Sequence, residues 1–153
     1  QLAAAFGCQV YGYNRSPKSP DGVIMTDMET LLKECDIVSL HVPLTEQTKG
    51  LIGEEQLRLM KPGAVLINTA RGPVVDSNAL AAALEEGRLA GAAVDVFETE
   101  PPVSPEHPLL QAPNLLATPH VAFATKESML RRVDIVLENI SAWMKGEPVR
   151  VCR

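Results

Sequence analysis

Aromatic side chains are scarce in this chain. They make up 4% of 153 residues, with a single Trp, so any core must be filled by Ala, Val, Leu and Ile. That filling suits a tightly layered α/β protein better than an aromatic-rich sandwich. Cysteine is sparse too: Cys8, Cys35 and Cys152 are odd in number and lack C-x-x-C spacing. The simpler reading is free thiols in a reducing compartment, used for packing or left exposed, with no part in catalysis. No metal-ligand set is assigned. No apolar run approaches the ~18 residues that span a bilayer, and no leader pattern is visible, so a cytoplasmic protein without membrane contact is expected. Positive charge is not in excess: 14 Lys and Arg stand against 19 Asp and Glu, a net charge of -5. This argues against nucleic acid or an anionic membrane surface as partner. Internal repeats, low-complexity tracts and heptad seams are absent. So is an initial Met. Residues 1–7, QLAAAFG, read as the last turns of a helix capped by Gly7, and the chain is expected to start mid-domain.

What the chain does have is alternation. Short apolar runs at residues 9–13, 36–41, 64–68, 92–96 and 115–117 read as strands. Between them, residues 27–33, 54–60 and 77–86 read as helices, the last with Asp76 as N-cap and Gly87 as terminator. Residues 97–114 carry five prolines and read as a long loop. Thr125 caps a helix over residues 126–145, on which Met129, Val133, Val136, Leu137, Ile140 and Met144 form one apolar stripe. Gly146 and Pro148 end it. The alternation predicts βαβ units with right-handed crossovers and a mostly parallel, doubly wound sheet.

In such a sheet, ligands sit outside the carboxyl ends of the strands. Arg71, Glu100 and His120 each follow an apolar run closely. A guanidinium, a carboxylate and an imidazole are thus expected to converge there, which suits work on a small anion. A dinucleotide-binding sheet of order 3-2-1-4-5-6 has its first strand in the middle. The five strands read here fill places two to six, so the first strand and its glycine-rich turn are expected to be missing. Strands two and three would then lose the partner joining them to strand four, and the segment alone is expected to be marginal or aggregation-prone.

Five blocks in order carry a resemblance: DIVSLHVPLT at 36–45, MKPGAVLINTARG at 60–72, LAGAAVDVF at 89–97, TEP at 99–101 and ATPH at 117–120. Together they resemble the D-isomer-specific 2-hydroxyacid dehydrogenases, which include D-3-phosphoglycerate dehydrogenases, D-lactate dehydrogenases and glyoxylate or hydroxypyruvate reductases. The resemblance implies an incomplete Rossmann domain over residues 1–146, with 147–153 leading toward an absent substrate domain. It implies hydride transfer between a nicotinamide cofactor and a small D-2-hydroxy acid or 2-keto acid, and a homodimer with the 126–145 helix near its interface.

By the same resemblance, Arg71 binds the substrate carboxylate, a task that suits a planar bidentate guanidinium. His120 is the acid/base, a role its ordinary pKa range fits. Glu100 hydrogen-bonds that imidazole; Glu98 is the neighbouring candidate, and spacing within the motif selects Glu100. Asp95 contacts the nicotinamide carboxamide, or else makes a structural hydrogen bond. Thr69 and Ala70 line the nicotinamide, with Ala122 nearby. His41, Val42, Pro43 and Thr48 flank the adenosine side, His41 by packing without chemistry. After the second strand an NAD enzyme usually carries an acid for the ribose diol. Here the stretch is Asn14, Arg15 and Ser16, which favours NADP over NAD. The alternative is that Asn14 bonds the diol while Arg15 stacks on adenine. Phe123 either narrows the pocket or packs on the long helix. Two rival readings are a dinucleotide-sensing module of the kind used by corepressors that resemble this family, and a fragment that is inactive in isolation.

Overall fold

A computed structural model describes residues 2–16, 18, 20–99 and 102–151. The chain forms two compact units, residues 1–119 and 120–153.

The first unit opens with α1 (Leu2–Ala5), β1 (Tyr11–Gly12) and β2 (Ile24–Met25), followed by α2 (Met28–Glu34), β3 (Ile37–Leu40), α3 (Glu54–Leu59) and β4 (Val65–Asn68). A single 3-10 turn (Gly72–Val74) leads into α4 (Ser77–Glu85); then come β5 (Gly91–Val94), α5 (Pro108–Gln111) and β6 (Leu115–Ala117). Strands β3-β4-β5-β6 lie side by side in that order, and every pair is parallel. Each parallel pair needs a crossover, and α3 and α4 supply the first two. The helices start where polar side chains replace missing backbone partners. Asp27 accepts from the Thr30 amide at 2.9 Å, and Asp76 accepts from the Asn78 and Ala79 amides at 3.0 and 3.1 Å. Such caps are worth about 1 kcal/mol each. Gly87, at φ 65°, takes the left-handed conformation that stops α4.

The core lies between this sheet and its helices. Leu66 of β4 and Leu80 of α4 are fully buried, with Leu57, Leu84, Leu89 and Val74 around them. Each Leu so buried contributes roughly 1.5–3 kcal/mol. The central strands β4 and β5 have no exposed residue, as expected of a sheet covered on both faces.

Three expectations need correction. The strand read at 9–13 narrows to β1, and it pairs with β2, which has no counterpart among the five strands expected from sequence. β2 is two residues long and follows a stretch rich in Pro, Ser and Gly, too short for a period to show. The count of strands was therefore one short, and the predicted seam moves. Residues 36–41 were expected to be cut off from 64–68, yet β3 pairs directly with β4, Ile37 opposite Val65. Among the described residues the ladders are broken instead between the β1-β2 pair and the four-stranded sheet. Third, residues 97–114 are not all loop: Pro108 starts α5, where a ring with fixed φ and no N–H suits the first helical position.

The second unit is dominated by α6 (Lys126–Met144). Thr125 caps it, its hydroxyl accepting from the Ser128 amide at 3.1 Å. The apolar stripe is present as read, but no residue of α6 is buried. The segment after it folds back, with Arg150 donating to Asn139 at 2.9 Å and to Glu138 at 2.7 Å.

Candidate active site

Parallel register brings the carboxyl ends of β4, β5 and β6 to one edge of the first unit. The Asp95 amide donates to the Asn68 carbonyl at 3.0 Å, and the Thr118 amide donates to the Val94 carbonyl at 2.9 Å. The side chains follow. Asp95 is buried, 3% exposed, and its Oδ1 accepts from the Thr118 hydroxyl at 2.5 Å. A carboxylate so placed in an apolar strand end requires such partners.

Thr69, Ala70 and Arg71 form the turn beyond β4. Buried Asn68 shapes it from beneath: its Oδ1 accepts from the Ala70 amide and its Nδ2 donates to the Arg71 carbonyl, both at 3.0 Å. One guanidinium nitrogen of Arg71 donates to the Ala70 carbonyl at 2.6 Å. A guanidinium has five N–H donors, so that single bond occupies a minority of its capacity.

The adenosine-side residues also gather in the first unit. Arg15 donates to Gln47 Oε1 at 2.7 Å, which ties the loop after β1 to the turn after β3. Asn14 donates to the Ser16 carbonyl at 2.8 Å. In the other loop, the Thr48 hydroxyl donates to the Pro43 carbonyl at 2.6 Å and accepts from the Thr45 amide at 2.8 Å. His41 Nε2 lies 2.9 Å from the Ser39 hydroxyl, and Val42 packs against the core.

Glu100 lies outside the described residues. Its neighbour Glu98 does not. Ser77 donates its hydroxyl to Glu98 Oε1 at 2.5 Å, and His107 Nε2 lies 3.0 Å from Oε2. Burial raises the Glu98 pKa, but hydrogen bonds from Ser77, its own backbone and His107 outweigh it and hold the carboxyl below the usual range. From sequence, His107 reads as part of the 97–114 loop, and Ser77 and Asn68 read as members of a helix and a strand. The signal available for His107 was the His-Pro pair at a helix start.

In the second unit His120 has φ 55°, in the left-handed region. Histidine adopts that conformation uncommonly, and such strain clusters at functional sites. A turn closed by the Ala124 amide on the Val121 carbonyl at 2.8 Å follows it, and contains Ala122. The Phe123 ring stands edge-on to the imidazole at 6.2 Å, and Arg132 of α6 sits over that ring at 5.4 Å. Phe123 thus packs on the long helix while bordering His120.

The thiols stay plain: Cys8 is exposed, partial burial raises the pKa of Cys35, and Cys152 lies outside the described residues. No described helix is long and apolar enough to cross a membrane.

A four-stranded parallel sheet with polar and charged side chains at its carboxyl edge defines the chain as a Rossmann-like α/β protein. It belongs to the family described as D-isomer specific 2-hydroxyacid dehydrogenase, NAD binding domain, whose model matches residues 1–122. Among its relatives is a glyoxylate reductase of Thermofilum pendens, 56% identical over 122 residues, covering 80% of this chain and 36% of that protein. Among solved structures, an acyclic imino acid reductase in complex with NADPH and D-Arg matches 99% of this chain and 48% of its own, at 34% identity and a TM-score of 0.88. A D-lactate dehydrogenase with NAD+ from Lactobacillus jensenii matches 100% of this chain and 51% of its own, at 35% identity and the same TM-score of 0.88. The chain spans between about a third and a half of the length of the curated relatives it matches.

Proposed function

We propose that this chain is the nucleotide-binding part of an NAD(P)-dependent oxidoreductase that interconverts a small 2-keto acid and a D-2-hydroxy acid, as a reductase of the glyoxylate or hydroxypyruvate type. The observation that carries the reading is the strand-end edge itself. Asn68, Asp95 and Thr118, from three adjacent parallel strands, are hydrogen-bonded in a row, with Arg71 in the turn that Asn68 shapes. Residues 1–146 form the dinucleotide-binding part, and 147–153 lead toward a substrate-binding part.

The donor set suits a nicotinamide dinucleotide. Arg15 offers a cation beside the hydroxyls and amides of the adenosine-side loops, and buried Asp95 offers a polar anchor for a carboxamide. A bound nicotinamide supplies the hydride. The protein's part is orientation and proton movement. Arg71 clamps the substrate carboxylate and withdraws charge from its C2 oxygen. His120 delivers a proton to that oxygen in reduction and removes it in oxidation. Glu100 is assigned the task of orienting the imidazole.

Arg15, with Asn14 and Ser16 beside it and no acid among them, supports NADP over NAD. Arg15→Ala is expected to weaken NADPH binding at least tenfold and NADH binding little; unchanged NADPH affinity would remove the phosphate assignment. The exposed stripe on α6 supports a homodimer, to be checked by sedimentation.

The deciding experiment measures glyoxylate-dependent oxidation of NADPH and NADH by the intact gene product. His120→Ala is expected to lower kcat by about a thousandfold or more, and Arg71→Ala to lower kcat/KM by a similar factor. Near-normal turnover in either variant refutes the assigned role. Dinucleotide binding without any turnover would favour a sensing module.

A further inference from the structure

Glu98 links two parts of the first unit that are distant in sequence. Its carboxylate accepts from Ser77, the first residue of α4, and meets His107 on its other oxygen. The hydrogen-bond pattern sets which ring nitrogen meets which partner. His107 Nδ1 accepts from the Leu109 amide at 3.3 Å as the N-cap of α5. That leaves Nε2 as the ring donor toward Glu98 Oε2, 3.0 Å away. Both oxygens of Glu98 accept, as an ionised carboxylate does. The edge of the buried Phe97 ring packs against His107, with centroids 5.2 Å apart.

The second link is a backbone contact. A Cβ at Gly72 would lie 2.0 Å from the Phe97 carbonyl carbon and 2.5 Å from the Glu98 nitrogen. The 97–98 peptide therefore rests directly on Gly72, the residue after Arg71. Only glycine permits that approach. The segment from Gly72 to Ser77 is thus held to residues 97–98 at both ends, by peptide packing at one and by the Ser77–Glu98 bond at the other. Asn68 fixes the opposite side of the same turn through the Arg71 carbonyl.

We infer that Ser77, Glu98 and His107 are positioning residues for Arg71. Glu98 is the hub and the other two its donors. Together they hold the 97–98 peptide against Gly72 and so set where the Arg71 guanidinium begins. None of the three touches the reacting atoms in this role. The inference rests on the oxidoreductase reading above, in which Arg71 clamps the keto acid. Positioning matters to such a clamp because a displacement of about 1 Å costs up to about a hundredfold in rate.

The test is a set of variants of the intact gene product, assayed with glyoxylate and NAD(P)H. Glu98→Ala is expected to lower kcat/KM for glyoxylate by roughly tenfold to a hundredfold, mainly through KM, with KM for the dinucleotide changed less than about twofold. Glu98→Gln is expected to stay within about threefold of the parent, because an amide can accept from His107 and donate to the Ser77 hydroxyl. Ser77→Ala removes one donor and is expected to fall between them. In the Arg71→Ala background, Glu98→Ala is expected to add no further loss, the mark of residues acting on one function. Additive losses, an equal rise in KM for the dinucleotide, or a lowered melting temperature with kcat/KM unchanged would each overturn the inference. Should Glu98→Ala fail to fold, Ser77→Ala in the same two backgrounds decides. Failure of the underlying reading looks different: Arg71→Ala and His120→Ala would themselves leave turnover intact.

Discussion

Helices α4 and α6 were written in the same language and met different fates. Both open on a polar cap, Asp76 for one and Thr125 for the other, and both carry apolar residues at helical spacing. In α4, Ser77, Leu80, Ala81, Ala83 and Leu84 are buried. In α6, more than twice as long, no residue is buried, and Val133, Val136, Leu137 and Ile140 stay exposed. Periodicity states that a helix has a face to cover. It does not state what covers it. For α4 the cover is the unit's own sheet, reached through short crossovers. For α6 the described residues of the second unit provide no cover.

That contrast can be broken most forcefully by truncation. Leu80→Ala is expected to cost about 2–5 kcal/mol, the range for deleting a buried leucine side chain. Leu137→Ala on α6 is expected to stay within about 0.5 kcal/mol. Urea unfolding of the two variants measures both. A large loss from Leu137→Ala would mean that the stripe is covered in solution, and a loss that depends on protein concentration would identify a second copy as the cover.

A smaller effect is expected where backbone meets backbone. Gly72→Ala must push the 97–98 peptide away, since a Cβ there falls 2.0 Å from the Phe97 carbonyl carbon. Overpacking of this kind costs roughly 1–3 kcal/mol. The caps come next. Asp76→Ala is expected to cost about 1 kcal/mol of global stability, because α4 is part of the packed unit. Thr125→Ala is expected to reduce far-UV helicity by fraying α6 while leaving the urea midpoint of the first unit in place. Equal shifts in that midpoint would show that the two units unfold as one.

How much of this was legible beforehand depends on the range of the interactions. The caps Asp76 and Thr125 work within three residues of themselves, and the sequence displays them; Asp27 reads as the first residue of its helix and caps it instead. The strands β3 to β6 were legible because each falls in a short, mostly apolar run bounded by turn residues, although only β4 and β5 have no exposed residue. β2 was not, because two residues carry no period. The strand-end residues Arg71, Asp95 and His120 could be placed from the ends of those runs and from the family motifs. Their supports could not. Asn68 reads as one more strand residue until its amide is seen to bridge Ala70 and Arg71. Glu98 reads as the weaker of two carboxylates until Ser77, 21 residues away, is seen beside it. Long-range polar contacts leave no local pattern.

The smallest expected effect concerns acid. Glu98 has its pKa held below the ordinary 4.5, with the Ser77 and His107 hydrogen bonds outweighing the opposing effect of burial. A folded-state value below the unfolded one means that the unfolded chain binds more protons in that window. The stabilisation is therefore complete above the unfolded value and is lost as pH falls through the lower folded value. Its size is modest, because the carboxylate side chain is 37% exposed and solvent screens it. Urea midpoints measured downward from pH ~7 should fall more steeply below pH ~5 in the parent than in Glu98→Gln, which cannot titrate there. A parent and variant with parallel acid profiles would mean that the Ser77–Glu98–His107 group does not hold its charge in solution. The ion pair of Arg150 with Glu138 in the second unit offers the comparison. Both its side chains are about half exposed, so Glu138→Gln is expected to change stability by less than about 0.5 kcal/mol, and added salt should erase even that.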